Sequence, residues 1–177
     1  MKIKNITDIW SGGIETMGFD VHGMNPTIHK EAGLTLNNVR EAEASDKDFR
    51  FYELPKKTKE TYFDELNDYR MNNPGVYFRN SIWTWHPLWQ YINAKCDFLD
   101  EDDYINGSNN SGHEITKEKA TKIAGRIYAL LHTDEYAEDV AHAKSQLEDE
   151  TEELVLTDHN LRRFADFCKE SGGFIIC

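Results

Sequence analysis

Side chains that could hold a planar ligand are concentrated in residues 77–91, which include six aromatic residues and three of the four tryptophans. Aromatic rings carry a large apolar area on few rotatable bonds, and nucleotide bases stack on them. Among these rings, a guanidinium could pair with a phosphate, while an amide or imidazole could orient a polar edge. We therefore predict a ligand-binding site formed by Tyr77, Arg79, Asn80, Trp83, Trp85 and His86.

The same segment has a second interpretation, in which it belongs to the hydrophobic core. Tryptophans on a predicted helix commonly pack inside a protein. Arg79 could form an ion pair with one of the 32 acidic residues, and Asn80 could cap the following helix. The sequence alone leaves both interpretations open.

No recognised catalytic motif accompanies these residues. None of the seven histidines stands in a metal-binding spacing such as His-Glu-x-x-His, and neither a phosphate-binding glycine loop nor Gly-x-Ser-x-Gly is present. Asp20 and His22 would share one face of a strand, where they could act as metal ligands, as an acid–base pair or as ordinary exposed polar residues. We therefore predict no catalytic residue and no cofactor, with Asp20 and His22 as the one candidate metal pair.

The formal net charge of −12 argues against direct DNA or RNA binding, which requires a lysine- and arginine-rich surface. Carboxylates are densest in residues 97–103 and 134–153. Such runs are typical of a solvated helical face. A second interpretation is a surface that imitates nucleic acid and binds a basic host protein by electrostatic complementarity.

Turn residues and hydrophobic spacing predict the secondary structure. Extended segments are expected at residues 1–10, 17–22, 154–156 and 174–177, whereas residues 28–50 are expected to be irregular and 105–113 to form a flexible loop. Helical spacing and caps predict helices over residues 56–71, from Asn80 or Ser81 to about 99, after Thr116, from about 134 to 150, and after Thr157. Pro87 would either begin or kink the second of these helices.

These elements predict an α+β fold, mostly helical, with a small sheet formed by the N- and C-terminal segments. A length of 177 residues suits a single domain spanning residues 1–177. The three cysteines contain no Cys-x-x-Cys pair, so we expect Cys96 and Cys168 to be buried thiols and Cys177 to end a buried strand. No signal peptide or membrane span is expected, which favours the cytoplasm.

Three blocks of sequence resemble a family of uncharacterised proteins from bacteriophages and prophages. They are Met17-Gly18-Phe19-Asp20-Val21-His22-Gly23, the aromatic block that begins Tyr77-Phe78-Arg79-Asn80, and Phe164 to Cys177 with its Ser171-Gly172-Gly173 turn. Many members of that family carry a cysteine-rich insertion like a zinc ribbon, which this chain lacks. The resemblance implies a viral origin and a location in the host cytoplasm, without implying a reaction.

The expected function is therefore binding of a small nucleotide-like ligand by a phage protein, as in the sequestration of a nucleotide signal made by host defence. One alternative is an acidic inhibitor of a host protein. Another is a hydrolase of the signal, with Asp20, His22 and His86 as its reactive groups. Homo-oligomerisation stays open.

Overall fold

A computed structural model describes residues 18–145 and 157–177. This part of the chain is an α+β fold that is mostly helical, with seven α-helices and a four-stranded antiparallel sheet. The helices are α1 (Leu34–Ser45), α2 (Lys56–Asn72), α3 (Ile82–Lys95), α4 (Glu101–Gly107), α5 (Lys117–Leu130), α6 (Asp134–Ser145) and α7 (Asp158–Glu170). The strands are β1 (Gly18–Gly23), β2 (Tyr77–Ser81), β3 (His113–Ile115) and β4 (Phe174–Ile176).

The sheet has the order β2-β1-β4-β3, so the strands from the two ends of the chain lie at its centre, as the sequence predicts. Asp20 and Cys177 exchange both backbone hydrogen bonds, at 2.9 and 2.8 Å. The outer strands were not predicted. Both are short, and β2 runs directly into α3, so the first third of the aromatic block (residues 77–81) is strand and the rest (residues 82–91) is helix.

Three of the predicted helices begin at the hydroxyl caps that the sequence indicates. Ser81 accepts a hydrogen bond from the Thr84 N–H, and Thr116 and Thr157 make the same contact with the third residue after them. Each cap satisfies a backbone N–H that has no partner within its helix. Helix α3 therefore begins at Ile82, five residues before Pro87, which excludes a start at the proline.

The core lies between the sheet and helices α3, α5 and α7. Aromatic rings are packed through its centre, with Phe78 on β2 lying 5.1 Å from Phe164 and 5.8 Å from Phe167 on α7, centroid to centroid. Residues Leu161, Phe164, Ala165 and Cys168 of α7 are buried, in agreement with the predicted helical face. Packing of α7 on β2 brings together residues that are more than 80 positions apart in sequence.

Three local predictions differ from the structure. Residues 34–45 form a helix, although irregular chain was expected. The sequence pattern did not reveal this helix because only Leu36 and Val39 bury apolar side chains, which is too sparse a pattern to recognise. Residues 105–113 contain the end of α4, a turn with Gly112 at φ 81°, and the first residue of β3. Cys177 is exposed, whereas Cys96 and Cys168 are buried as predicted.

Helix α6 covers residues 134–145 of the predicted acidic helix and buries Tyr136. The remainder of that helix and the expected strands at residues 1–10 and 154–156 lie outside the described residues. Within the described part of the chain, no helix combines the length and apolar character needed to cross a bilayer.

Candidate functional site

Trp85 belongs to the core, which corrects its assignment to the ligand-binding site. Its side chain is 0% exposed and stacks on Phe19 at 5.3 Å and on Trp89 at 5.5 Å. The indole N–H donates a 2.9 Å hydrogen bond to the Gly107 carbonyl and so ties α3 to the end of α4. A ligand at the surface could not reach this ring.

Asn80 also points inward, because side chains alternate between the two faces of a strand. Phe78 and Asn80 share the buried face of β2, and Asn80 is 8% exposed. Its Nδ2 makes no hydrogen bond with the described residues. Asn80 is therefore not part of a surface site, and the cap of α3 is Ser81.

Trp83 and His86 lie on α3, away from the face of β2 that carries Tyr77 and Arg79. Trp83 is 81% exposed. His86 borders a separate cavity of about 250 Å³ together with Phe19 and the loop after α4, and its Nε2 lies 3.2 Å from the Ser108 carbonyl oxygen. A carbonyl can only accept, so the Nε2 carries the proton in this contact.

The outer face of the sheet brings together Asp20, His22, Tyr77 and Arg79. The Tyr77 hydroxyl donates a short hydrogen bond to Asp20, and the Arg79 Nη1 lies 3.1 and 3.3 Å from the two carboxylate oxygens of Asp20. The His22 ring lies 5.3 Å from the Tyr77 ring. The Asp20 carboxylate is thus already bound by two donors, which favours its interpretation as a structural ion-pairing residue over a metal ligand.

Burial and the Asp20 carboxylate raise the pKa of Tyr77, because both disfavour the phenolate. The hydrogen bond to Tyr77 and the charge of Asp20 raise the pKa of Arg79. Tyr77 therefore stays a neutral phenol at neutral pH. Within the described residues, no group of three or more histidine, cysteine or acidic side chains could hold a metal ion.

A cavity of about 320 Å³ lies beside β2, between the end of α2 and helix α7. We call it the arginine cavity, because three arginines line it. The side chains that form its wall are Arg70, Met71, Pro74, Tyr77, Phe78, Arg79, Arg163, Asp166 and Phe167. The lining carries three guanidiniums and one carboxylate, in a chain whose formal net charge is −12, and one of the guanidiniums, that of Arg79, is paired with Asp20.

Two of these guanidiniums lie over aromatic rings. The Arg70 Cζ is 3.7 Å from the centroid of the Tyr77 ring, and the Arg163 Cζ is 5.3 Å from that of Phe78. Ion pairs of described arginines involve Arg79, Arg126 and Arg162, so neither Arg70 nor Arg163 forms an ion pair with a described carboxylate. The cation–π contacts hold both side chains in place without cancelling their charge.

Of the six predicted ligand-binding residues, the structure brings Tyr77 and Arg79 to the arginine cavity and places the other four elsewhere. Sequence reasoning missed Arg70 and Arg163. Arg70 lies in the last turn of a correctly predicted helix, and Arg163 lies on the exposed side of α7. Nothing local distinguishes either from an ordinary surface arginine, so only the packing of α2 and α7 around β2 reveals them.

Comparison with known proteins returned no match, whether to a protein-family model, to a curated protein or to a solved structure. The relationship to phage and prophage proteins therefore stays a prediction from the three sequence blocks.

Proposed function

We propose that this protein binds a phosphate-bearing, nucleotide-like small molecule in the arginine cavity. The observation that carries the proposal is the convergence of Arg70, Arg79 and Arg163 on one cavity of a strongly acidic chain. A cationic cavity in this setting is best explained by an anionic ligand.

The chemistry of the wall suits both halves of such a ligand. A guanidinium presents N–H donors in a planar fork that matches the oxygens of a phosphate. A base could stack on the Tyr77 ring if Arg70 moved off the face that it now covers, and such stacking is worth roughly 1–3 kcal/mol per base in known platforms. The cavity volume of about 320 Å³ lies at the lower end of the range for ligand pockets, roughly 300–1,000 Å³.

Binding without reaction is the form of this function that the wall supports best. Its lining side chains include no histidine, cysteine or serine, and the single carboxylate, Asp166, accepts a 2.5 Å hydrogen bond from the Tyr128 hydroxyl. Together with the resemblance to phage proteins, this supports a role in sequestering a nucleotide signal of the host. In that role the protein would act in the host cytoplasm and release its ligand unchanged.

Thermal unfolding in the presence of nucleotides tests this proposal. A ligand at a hundredfold excess over its Kd stabilises the folded state by about 2.7 kcal/mol, which raises the Tm of a chain of this size by roughly 5–10 °C. We expect such a shift with at least one nucleotide and none with the corresponding nucleosides. The absence of a shift with any nucleotide would contradict the proposal.

The neighbouring arginines of α7 provide a matched pair of variants. Arg163→Gln should weaken the binding about tenfold or more, because it removes a charged hydrogen-bond donor to the phosphate. Arg162→Gln should bind normally, since Arg162 is paired with Asp158 and does not line the cavity. Chromatography of the ligand released by heating should recover it intact, and recovery of a cleaved product would favour the hydrolase alternative.

A further inference from the structure

The arginine cavity also indicates the size and charge of its ligand. We infer, on the basis of the proposed function, that the ligand is a mononucleotide with a terminal phosphate. Cyclic nucleotides and dinucleotides linked by phosphodiesters are then the poorer ligands. Two arginines of the lining, Arg70 and Arg163, form no ion pair with a described carboxylate, and their positions relative to strand β2 bear on the ligand.

The two arginines without ion pairs approach β2 from opposite faces. Adjacent residues of a strand point to opposite sides, so the rings of Tyr77 and Phe78 mark the outer and inner faces of β2. Arg70 of α2 lies over the first ring, and Arg163 of α7 lies over the second. Both arginines line the same cavity, so we expect an anion in that cavity to contact both of them.

Two cations that line one cavity favour a phosphate that carries two charges. A phosphate monoester has a charge of about −1.5 to −2 at pH 7 and three terminal oxygens, enough to accept from both guanidiniums together. A phosphodiester has a single charge and two such oxygens. Arg70 and Arg163 would supply these contacts, because the third arginine of the lining, Arg79, is already paired with Asp20.

The volume of the cavity also favours a mononucleotide. At about 320 Å³, it is near the smallest pockets that hold a small molecule. A single base, sugar and phosphate suit that space better than two nucleotide units do. The guanidinium of Arg70, stacked at 3.7 Å from the Tyr77 ring, occupies the place where a base would stack. Movement of Arg70 from the ring to the phosphate would open this face to the base.

Isothermal titration calorimetry with matched ligands tests the inference. The probes are AMP and GMP, their 3′,5′-cyclic forms, cyclic di-AMP, cyclic di-GMP, and the nucleosides adenosine and guanosine. Each 5′-monophosphate and its cyclic form share a base and a sugar, and they differ in the phosphate charge and in the 3′ oxygen, which is a free hydroxyl only in the monophosphate. We expect AMP or GMP to bind at least about tenfold more tightly than its cyclic form and its cyclic dinucleotide, and Arg163→Gln to reduce this preference.

The outcomes separate the inference from the function it rests on. A cyclic nucleotide or cyclic dinucleotide that binds as tightly as the monophosphate, with binding still sensitive to Arg163→Gln, would overturn the mononucleotide assignment and leave nucleotide binding intact. Binding of nothing in the panel would overturn both. Equal loss of affinity in Arg163→Gln and Arg162→Gln would show that the site lies elsewhere and would also overturn the inference.

Discussion

Replacement of Trp85 by phenylalanine should destabilise the fold, because this ring is central to the core and is not a ligand platform. The change removes two ring carbons, worth about 0.8 kcal/mol each when buried. It also leaves the Gly107 carbonyl without the indole N–H that donates to it, which costs about 1–3 kcal/mol. Since Trp85 is wholly buried, we expect the free energy of unfolding to fall by about 3–4 kcal/mol.

Trp83 supplies a control with the same substitution on the same helix. It is 81% exposed, so Trp83→Phe should change the free energy of unfolding by less than about 0.5 kcal/mol. The measurement is equilibrium urea unfolding of both variants, followed by far-UV circular dichroism. If Trp85→Phe were as stable as the wild type, or if both variants lost the same stability, the assignment of Trp85 to the core would be wrong.

Three further results are expected. Asp103→Asn should lower the free energy of unfolding by about 3 kcal/mol in urea, because it removes the charge of a buried carboxylate that pairs with the partly exposed Lys119. The change Asp102→Asn, at the exposed neighbour, should cost less than about 1 kcal/mol, and equal losses would contradict this. A thiol reagent at pH 8 should rapidly label one thiol in the native protein, and none in Cys177→Ser, since burial raises the pKa of the other two. Burial and a neighbouring carboxylate raise the pKa of Tyr91, so the free energy of unfolding should fall as the pH rises above about 10. The fall should be less steep in Tyr91→Phe, and identical pH profiles of stability for the two proteins would contradict this expectation.

The helices were largely predictable because their signals are local. A hydroxyl cap and an apolar face repeat within a few residues, as at Thr116 with α5 and Thr157 with α7. Helix α1 lacks both signals, since Gly33 provides no side-chain cap and only two of its residues are buried. Its stability depends on packing against α2, where the Glu65 carboxylate accepts a 2.7 Å hydrogen bond from the Leu36 N–H.

The candidate site was only partly predictable, because its geometry depends on strand β2. The alternation of a strand points Tyr77 and Arg79 outward and Asn80 inward, whereas all three were predicted to share one ligand-binding site. Arg163 reaches the cavity because Phe78 packs against α7, and this contact has no signal in the sequence around either residue. The aromatic block therefore supplies Tyr77 and Arg79 to the candidate site, whereas Arg70 and Arg163 come from other parts of the chain.

Identification of the residues that contact a bound nucleotide is the most direct test of the proposed function. We propose photolabelling the full chain with 8-azidoadenosine 5′-monophosphate, followed by mass spectrometry of its peptides. We expect the label in residues 70–79, around Tyr77. Excess AMP should abolish this labelling, and so should Arg163→Gln. Label in residues 82–86 or 107–110, around the His86 cavity, or no label that AMP displaces, would contradict it.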